Sequence, residues 1–142
     1  MSKSNLALAQ SNPNIGLIQS LYAMFGRGDI AAIVASTTPD VVWGLDGRPT
    51  DMPFLRRFHG PAGVQEFFTV LAEVHDITSF EPQEFYADAD KVFVIGRYSW
   101  TMKPSGVKGS SDWLHVWTIR NGKIAAMRSL NDTALLAKAW RG

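Results

Sequence analysis

Apolar residues recur along this chain first at helical spacing and then, from about residue 77, at strand spacing. After Asn12-Pro13, a cap followed by a first-turn proline, Ile15, Ile18, Leu21, Tyr22 and Phe25 fall on one stripe, and Gly26 and Gly28 end that helix. Asp29 caps a shorter helix carrying Ile30, Ile33 and Val34, which Thr38-Pro39-Asp40 closes before a strand over residues 41–45. Residues 46–59 hold two prolines, a glycine and mixed charges, the composition of a long loop of the kind that serves as a lid. Gly60-Pro61 restarts the helical pattern. Val64, Phe67, Phe68 and Leu71 stand at i, i+3, i+4 and i+7, and this third helix is predicted to end near His75.

The remainder alternates with period two. Strands are predicted over 77–86, 91–102, 110–120 and 123–131, separated by Ala87-Asp88-Ala89-Asp90, by Pro104-Ser105-Gly106 and by Asn121-Gly122. Asn-Gly supplies the two positive-φ positions of a type I′ turn, so the last two strands form a tight hairpin. Asp132 then caps a terminal helix through Thr133, Leu135, Leu136 and Trp140. Helices followed by short-turned antiparallel strands predict an α+β domain, and a twisted sheet wrapped over helices encloses a hollow.

With 142 residues, 46% apolar and 19% charged, the chain has the size and balance of one globular domain, residues 1–11 being expected as a flexible N-terminal segment. Its 14 basic residues are dispersed among 13 acids, and the longest basic run is Arg56-Arg57, which argues against a nucleic-acid groove. The lack of cysteine excludes disulfides, thiolate catalysis and cysteine-ligated zinc. The first ten residues hold only a four-residue apolar patch, short of a signal sequence, and nothing later approaches a membrane span; the expectation is a cytoplasmic protein. Gly26-Arg-Gly-Asp-Ile-Ala31 imitates a dinucleotide fingerprint but follows a helix instead of a strand. His59, His75 and His115 are far apart and lack acidic neighbours at ligand spacing, so no metal site is expected. Neither a Gly-x-Ser-x-Gly elbow nor a P-loop occurs. The expected chemistry therefore uses no cofactor.

The element order resembles the SnoaL-like, ketosteroid-isomerase-like superfamily over residues 14–140. The phrases that carry the likeness are Phe25-Gly-Arg-Gly-Asp-Ile, Pro39-Asp-Val-Val-Trp43, His59-Gly-Pro-Ala-Gly-Val, Val116-Trp-Thr-Ile-Arg-Asn-Gly-Lys-Ile124 and Asp132-Thr-Ala. The resemblance implies a cone-shaped α+β barrel: a curved, mostly antiparallel sheet wrapped over three main helices plus a short C-terminal helix. It also implies an apolar pocket and a homodimer formed through the outer face of the sheet. Members include isomerases, polyketide cyclases, an epoxide hydrolase, a phenazine-forming enzyme and non-catalytic binders, so the likeness specifies fold better than chemistry.

Carried over by that likeness, the isomerase's oxyanion tyrosine falls on Leu21, its general-base aspartate on Leu45 and its protonated aspartate on Leu114. All three are aliphatic and cannot move protons, so the mechanism is not that of a ketosteroid isomerase. The last-strand carboxylate of the epoxide hydrolase and the phenazine enzyme falls on Ser129, which can orient a ligand. Tyr22 and Asp46 each stand one residue from the isomerase positions, and Asp46 is retained as a candidate base.

Period two puts Met127, Ser129 and Asn131 on one face of the last strand and Leu114, Val116 and Thr118 on one face of its partner. The resemblance turns both sets toward the cavity. Trp113, His115 and Trp117, with Tyr98 and Trp100, then form an aromatic outer face suited to a dimer interface; the opposite parity makes His115 a buried acid or base. Arg97 and Ser99 are expected inside, Arg97 meeting an anion or a carboxylate, with a solvent-reaching arginine as the alternative. Trp43 floors a ligand site or packs in the core. His59, at the mouth, suits proton transfer or is a solvated loop histidine, and Asp132 is a helix cap before it is a catalytic carboxylate.

The expectation is a dimeric pocket protein for a hydrophobic polyketide-, terpenoid- or steroid-like compound, acting as a cofactor-free isomerase, cyclase or hydrolase. His59 or Asp46, with His115 and Asp132 in reserve, moves the proton. Trp43, Arg97, Ser99, Leu114, Val116, Met127, Ser129 and Asn131 contact the ligand. A non-catalytic binder and a dimerising accessory module are the alternatives.

Overall fold

The computed structural model describes residues 12–142, so the segment 1–11 lies outside the described residues. Helix α1 (Pro13–Gly26) starts where Asn12 Oδ1 accepts from the Asn14 N–H at 2.9 Å, and it buries Ile15, Ile18 and Leu21. Helix α2 (Ile30–Ala35) is capped by Asp29, after Gly28 has turned the chain at φ +71°. Strand β1 (Thr37–Leu45) begins earlier than the sequence pattern predicts, because Thr37 already pairs with Ile124 and a bulge absorbs the residues before Val42. Strand β2 (Arg57–His59) follows, then α3 (Gly60–Val74), β3 (His75–Asp88), β4 (Lys91–Met102), β5 (Lys108–Arg120), β6 (Lys123–Asn131) and α4 (Thr133–Arg141).

The six strands form one open, mixed sheet in the order β2-β1-β6-β5-β4-β3, with β1 and β6 parallel and every other pair antiparallel. Irregularities near Ile77/Ser79 and Pro82/Glu84 interrupt the β3–β4 ladder and bend the sheet; Pro82 is tolerated because β3 is an edge strand. The hollow side of the bent sheet holds α1 and α3. This is the curved α+β cone that the resemblance implies.

Residues 46–56 are not a free lid. Met52, Phe54 and Leu55 are at most 1% exposed and plug one end of the core, leaving the prolines and charges of the loop outside. Apolar side chains spaced along an irregular segment escape both periodicities, which is why the loop composition concealed them.

The second correction concerns the facing of β5. A two-residue turn at Asn121-Gly122 pairs Arg120 with Lys123 and Ile119 with Ile124, but Thr118 pairs with Ala126, leaving Ala125 as one extra residue on β6. Beyond that bulge Trp117 pairs with Met127, His115 with Ser129 and Trp113 with Asn131. Trp113, His115 and Trp117 therefore share the inner face with Ser129, and the set Tyr98, Trp100, Trp113, His115, Trp117 is internal and not an outer interface. Leu114 and Val116 turn outward, as do Arg97 and Ser99 on β4, where Arg97 donates to Asp112 at 2.8 Å and to Ser110. The energetic reason is plain: burying a large apolar side chain is worth roughly 1.5–3 kcal/mol, so the face with the indoles goes inside. Trp100 and Trp117 are each 1% exposed.

Candidate functional site

Between the inner face of the sheet and the helices lies a cavity of about 70 Å³. Its walls are almost wholly apolar. From α1 come Leu21 and Tyr22, from β1 Trp43, from β5 the three rings of Trp113, His115 and Trp117, and from β6 Met127, Ser129 and Asn131. Phe80 on β3 lies parallel to Trp113 with ring centres 4.8 Å apart, and Trp113 stacks on His115 at 4.0 Å. Gly96 permits this, because a Cβ there would overlap the Trp113 indole.

One hydrogen-bonded chain crosses the apolar wall. Trp117 Nε1 donates to Tyr22 Oη at 3.1 Å, and Tyr22 Oη lies 2.8 Å from Nδ1 of His115. Since the indole can only donate, the simplest pattern sends the Tyr22 hydroxyl proton to Nδ1 and leaves the imidazole proton on Nε2. The ring of His115 is half-buried, its open edge belonging to the cavity, and desolvation pushes its pKa down to about 3. Burial also pushes the Tyr22 hydroxyl well above its usual range, only partly offset by the Trp117 N–H. Both groups are thus neutral at ordinary pH.

A second Tyr–His pair links Tyr98 on the cavity wall to His75 behind it. His75 Nδ1 is 3.2 Å from the Leu71 carbonyl, which can only accept, so Nε2 accepts from the Tyr98 hydroxyl at 3.2 Å. Burial lowers the His75 pKa and raises that of Tyr98. On β6, Asn131 Nδ2 donates to Ser129 Oγ at 2.9 Å, and Ser129 is 2% exposed.

The structure gathers Trp43, Met127, Ser129 and Asn131 on the cavity wall and adds His115 in its alternative, internal position. It separates the rest. His59 is exposed on the outer side of β2, because alternation sends Phe58 into the core, and it starts α3 without a side-chain cap bond. Asp46 lies outside the cavity, paired with Arg128 at 2.7 Å, and that guanidinium holds its carboxyl below the usual range, which makes it a weak base. Asp132 Oδ1 accepts from the Leu135 N–H at 3.1 Å and is a helix cap. Arg97, Ser99, Leu114 and Val116 are on the outer face, away from the cavity. The cavity residues that sequence reasoning missed as a site are Tyr22, Tyr98 and Phe80. Tyr22 sat in view on the α1 stripe, one position beyond the buried Leu21. Among the described residues no group of three or more His, Cys, Asp or Glu stands together, and no helix is long and apolar enough to cross a membrane.

A family model described as a SnoaL-like domain matches residues 18–127. The crystal structure of TerC co-crystallized with polyporic acid is 29% identical, with a TM-score of 0.82 over 92% of this chain and 100% of that one. An NTF2-like protein from Burkholderia xenovorans is 28% identical, with a TM-score of 0.79 over 89% of this chain and 94% of that one. Another from Burkholderia thailandensis is 27% identical, again with a TM-score of 0.79, over 87% and 94%. A search of curated proteins finds no match.

Proposed function

The chain belongs to the SnoaL-like domain family, and from that premise we propose that its cavity binds a flat, largely apolar small molecule and handles one of that molecule's protons through Tyr22 and His115, without a cofactor. The observation that carries this reading is the Trp117–Tyr22–His115 chain, a proton-bearing relay set into an otherwise apolar aromatic wall. The aromatic lining favours a planar, apolar occupant. The co-crystallization of TerC with polyporic acid supports a small organic ligand.

Neutral groups suit this task. A neutral imidazole donates from Nε2 to a carbonyl oxygen without first being charged, and it strengthens that bond as the oxygen gains charge. Transfer of the Nε2 proton to the ligand oxygen is balanced by transfer of the Tyr22 proton to Nδ1. The Trp117 N–H stabilises the phenolate, and a proton lost from the ligand's carbon restores Tyr22. The net change is a keto–enol shift, the step shared by isomerases and cyclases that work without cofactors. Ser129, Asn131, Trp43 and Met127 supply orientation and walls.

The test is incubation of the purified protein with enolisable polycyclic ketones, read by mass spectrometry and proton exchange. Tyr22→Phe and His115→Phe should each slow exchange by about 10²-fold or more, the usual contribution of a positioned proton carrier. Full exchange in both variants contradicts the proton-carrying roles of Tyr22 and His115. A second reading, a binder without turnover, is favoured by the lack of any Asp or Glu among the cavity residues. Recovery of every bound compound unchanged, with no exchange at carbon, selects it.

A further inference from the structure

Among the described strands, glycine stands at Gly44 on β1, Gly96 on β4 and Gly109 on β5. Glycine weakens a strand, and its usual reasons there are a bulge or the close approach of another group. An indole supplies that reason twice. A Cβ at Gly96 would overlap the Trp113 ring, and one at Gly109 would stand 2.6 Å from Trp100. Gly44 has no such cover: a Cβ there would meet Arg57 Cγ at 3.4 Å and the Met127 carbonyl at 3.9 Å, both ordinary contacts. Nor does its backbone call for glycine, because its φ is not positive and its ladders run regularly on both sides.

The neighbours of Gly44 on the outer face of the sheet are charged. Arg57 on β2 and Arg128 on β6 are its direct partners across the two ladders, so one row reads Arg57, Gly44, Arg128. Strand spacing sets the Cα atoms of the two arginines about 10 Å apart, within the joint reach of their side chains. Gly44 and Ala126 floor a cleft of about 450 Å³ between them, and Arg56 and Asp46 also line it. Asp46 accepts from Nε and Nη2 of Arg128 and leaves Nη1 unused, and Glu66 accepts from Nη2 of Arg56. Arg57 has no carboxylate within ion-pair distance among the described residues. The cleft therefore holds one uncompensated guanidinium beside another with donors to spare, over a floor from which the side chain is missing.

We infer that this cleft binds a phosphate group, as inorganic phosphate or a small phosphate monoester, seated over Gly44 between Arg57 and Arg128. A tetrahedral phosphate turns oxygens toward guanidiniums on both sides at once, whereas the two coplanar oxygens of a carboxylate match one fork. A dianion also competes better with Asp46 for the free edge of Arg128. The site is independent of the inner cavity, since the cleft opens on the opposite side of β1 and β6.

The probes are inorganic phosphate, phenyl phosphate and benzoate, titrated by calorimetry at one ionic strength because exposed charges are screened by salt. Both phosphates should bind, with benzoate about fivefold weaker or more. Arg57→Gln and Arg128→Gln should each weaken the phosphates by about three- to tenfold. Gly44→Leu, which fills the floor, should weaken them by about tenfold or more. Arg97→Gln removes an outer-face arginine already held by Asp112 and Ser110 and should leave binding within about twofold. Where a variant does not fold, the unmutated protein answers: the Nε–Hε signals of Arg57 and Arg128 should move with phosphate and that of Arg97 should not. Tighter binding of phenyl phosphate supports the monoester as the source, and tighter binding of inorganic phosphate supports the free ion. No saturable binding of either phosphate, benzoate as tight as the phosphates, or an Arg57→Gln effect no larger than that of Arg97→Gln overturns the inference.

Discussion

Protonating His115 is harder in the folded protein than in the unfolded chain, because burial desolvates the imidazolium and no carboxylate lines the cavity. Its pKa is pushed down to about 3 from an ordinary 6.5. Between those values the unfolded chain binds a proton that the folded protein does not, so stability falls as the pH drops below about 6.5 and levels near pH 3, with no contribution above. His75 acts in the same sense. The urea midpoint should therefore be lower at pH 5 than at pH 7.5, by less than the limit of about 1.4 kcal/mol per pH unit for each proton. His115→Gln should shrink that difference, and an unchanged difference in both His115→Gln and His75→Gln contradicts the assignment. Tyr22→Phe removes the oxygen that two buried nitrogens share and leaves both unpaired, a loss of about 1–3 kcal/mol by chemical denaturation. Ala89 sits at φ +51° in the β3–β4 turn, where an L side chain is strained, and Ala89→Gly should raise stability by about 1 kcal/mol.

At the scale of elements, a single residue decides the interior. Ala125, the extra residue of β6, makes the indole face of β5 and the Ser129 face of β6 coincide. Deleting Ala125 restores the plain hairpin register and sets those two faces against each other, since a one-residue slip reverses every side chain. Near-ultraviolet circular dichroism and thermal melting should show loss of the fixed aromatic environment and of cooperative unfolding; a native-like spectrum and melt contradict this role for Ala125. The same residue explains what was legible in the sequence. Helix caps at Asn12, Asp29 and Asp132, the Asn121-Gly122 turn and the strands 91–102 and 123–131 all carry local signals, and they were readable. A bulge at an alanine carries none: Ile124-Ala125-Ala126 reads as uninterrupted strand, so the grouping of Trp113, His115 and Trp117 was right and the side they face was not.

For the molecule as a whole, the consequence is an exchange of roles between two surfaces. The outer face of the sheet carries Ile95 at 37% exposure, with Phe93, Leu114 and Val116 half-buried around it, and not the indoles. A homodimer of the kind the resemblance implies would use that apolar face. Light scattering after size exclusion should give twice the chain mass for the natural protein and the monomer mass for Ile95→Arg, and a natural protein that is monomeric at every concentration contradicts it. The site was less legible than the fold, because Tyr22, Phe80 and His115 come from three elements and meet only once the sheet has curled. On the proposed reading, the flat apolar ligand sits in the hollow lined by these rings and not in the polar cleft of Arg57, Asp46 and Arg128 outside β1 and β6. A crystal structure of the protein soaked with 1,4-naphthoquinone tests this most directly. The ring system should lie inside the cavity in contact with Trp113 and His115; a ring held in the outer cleft, with the inner cavity unchanged, contradicts that placement.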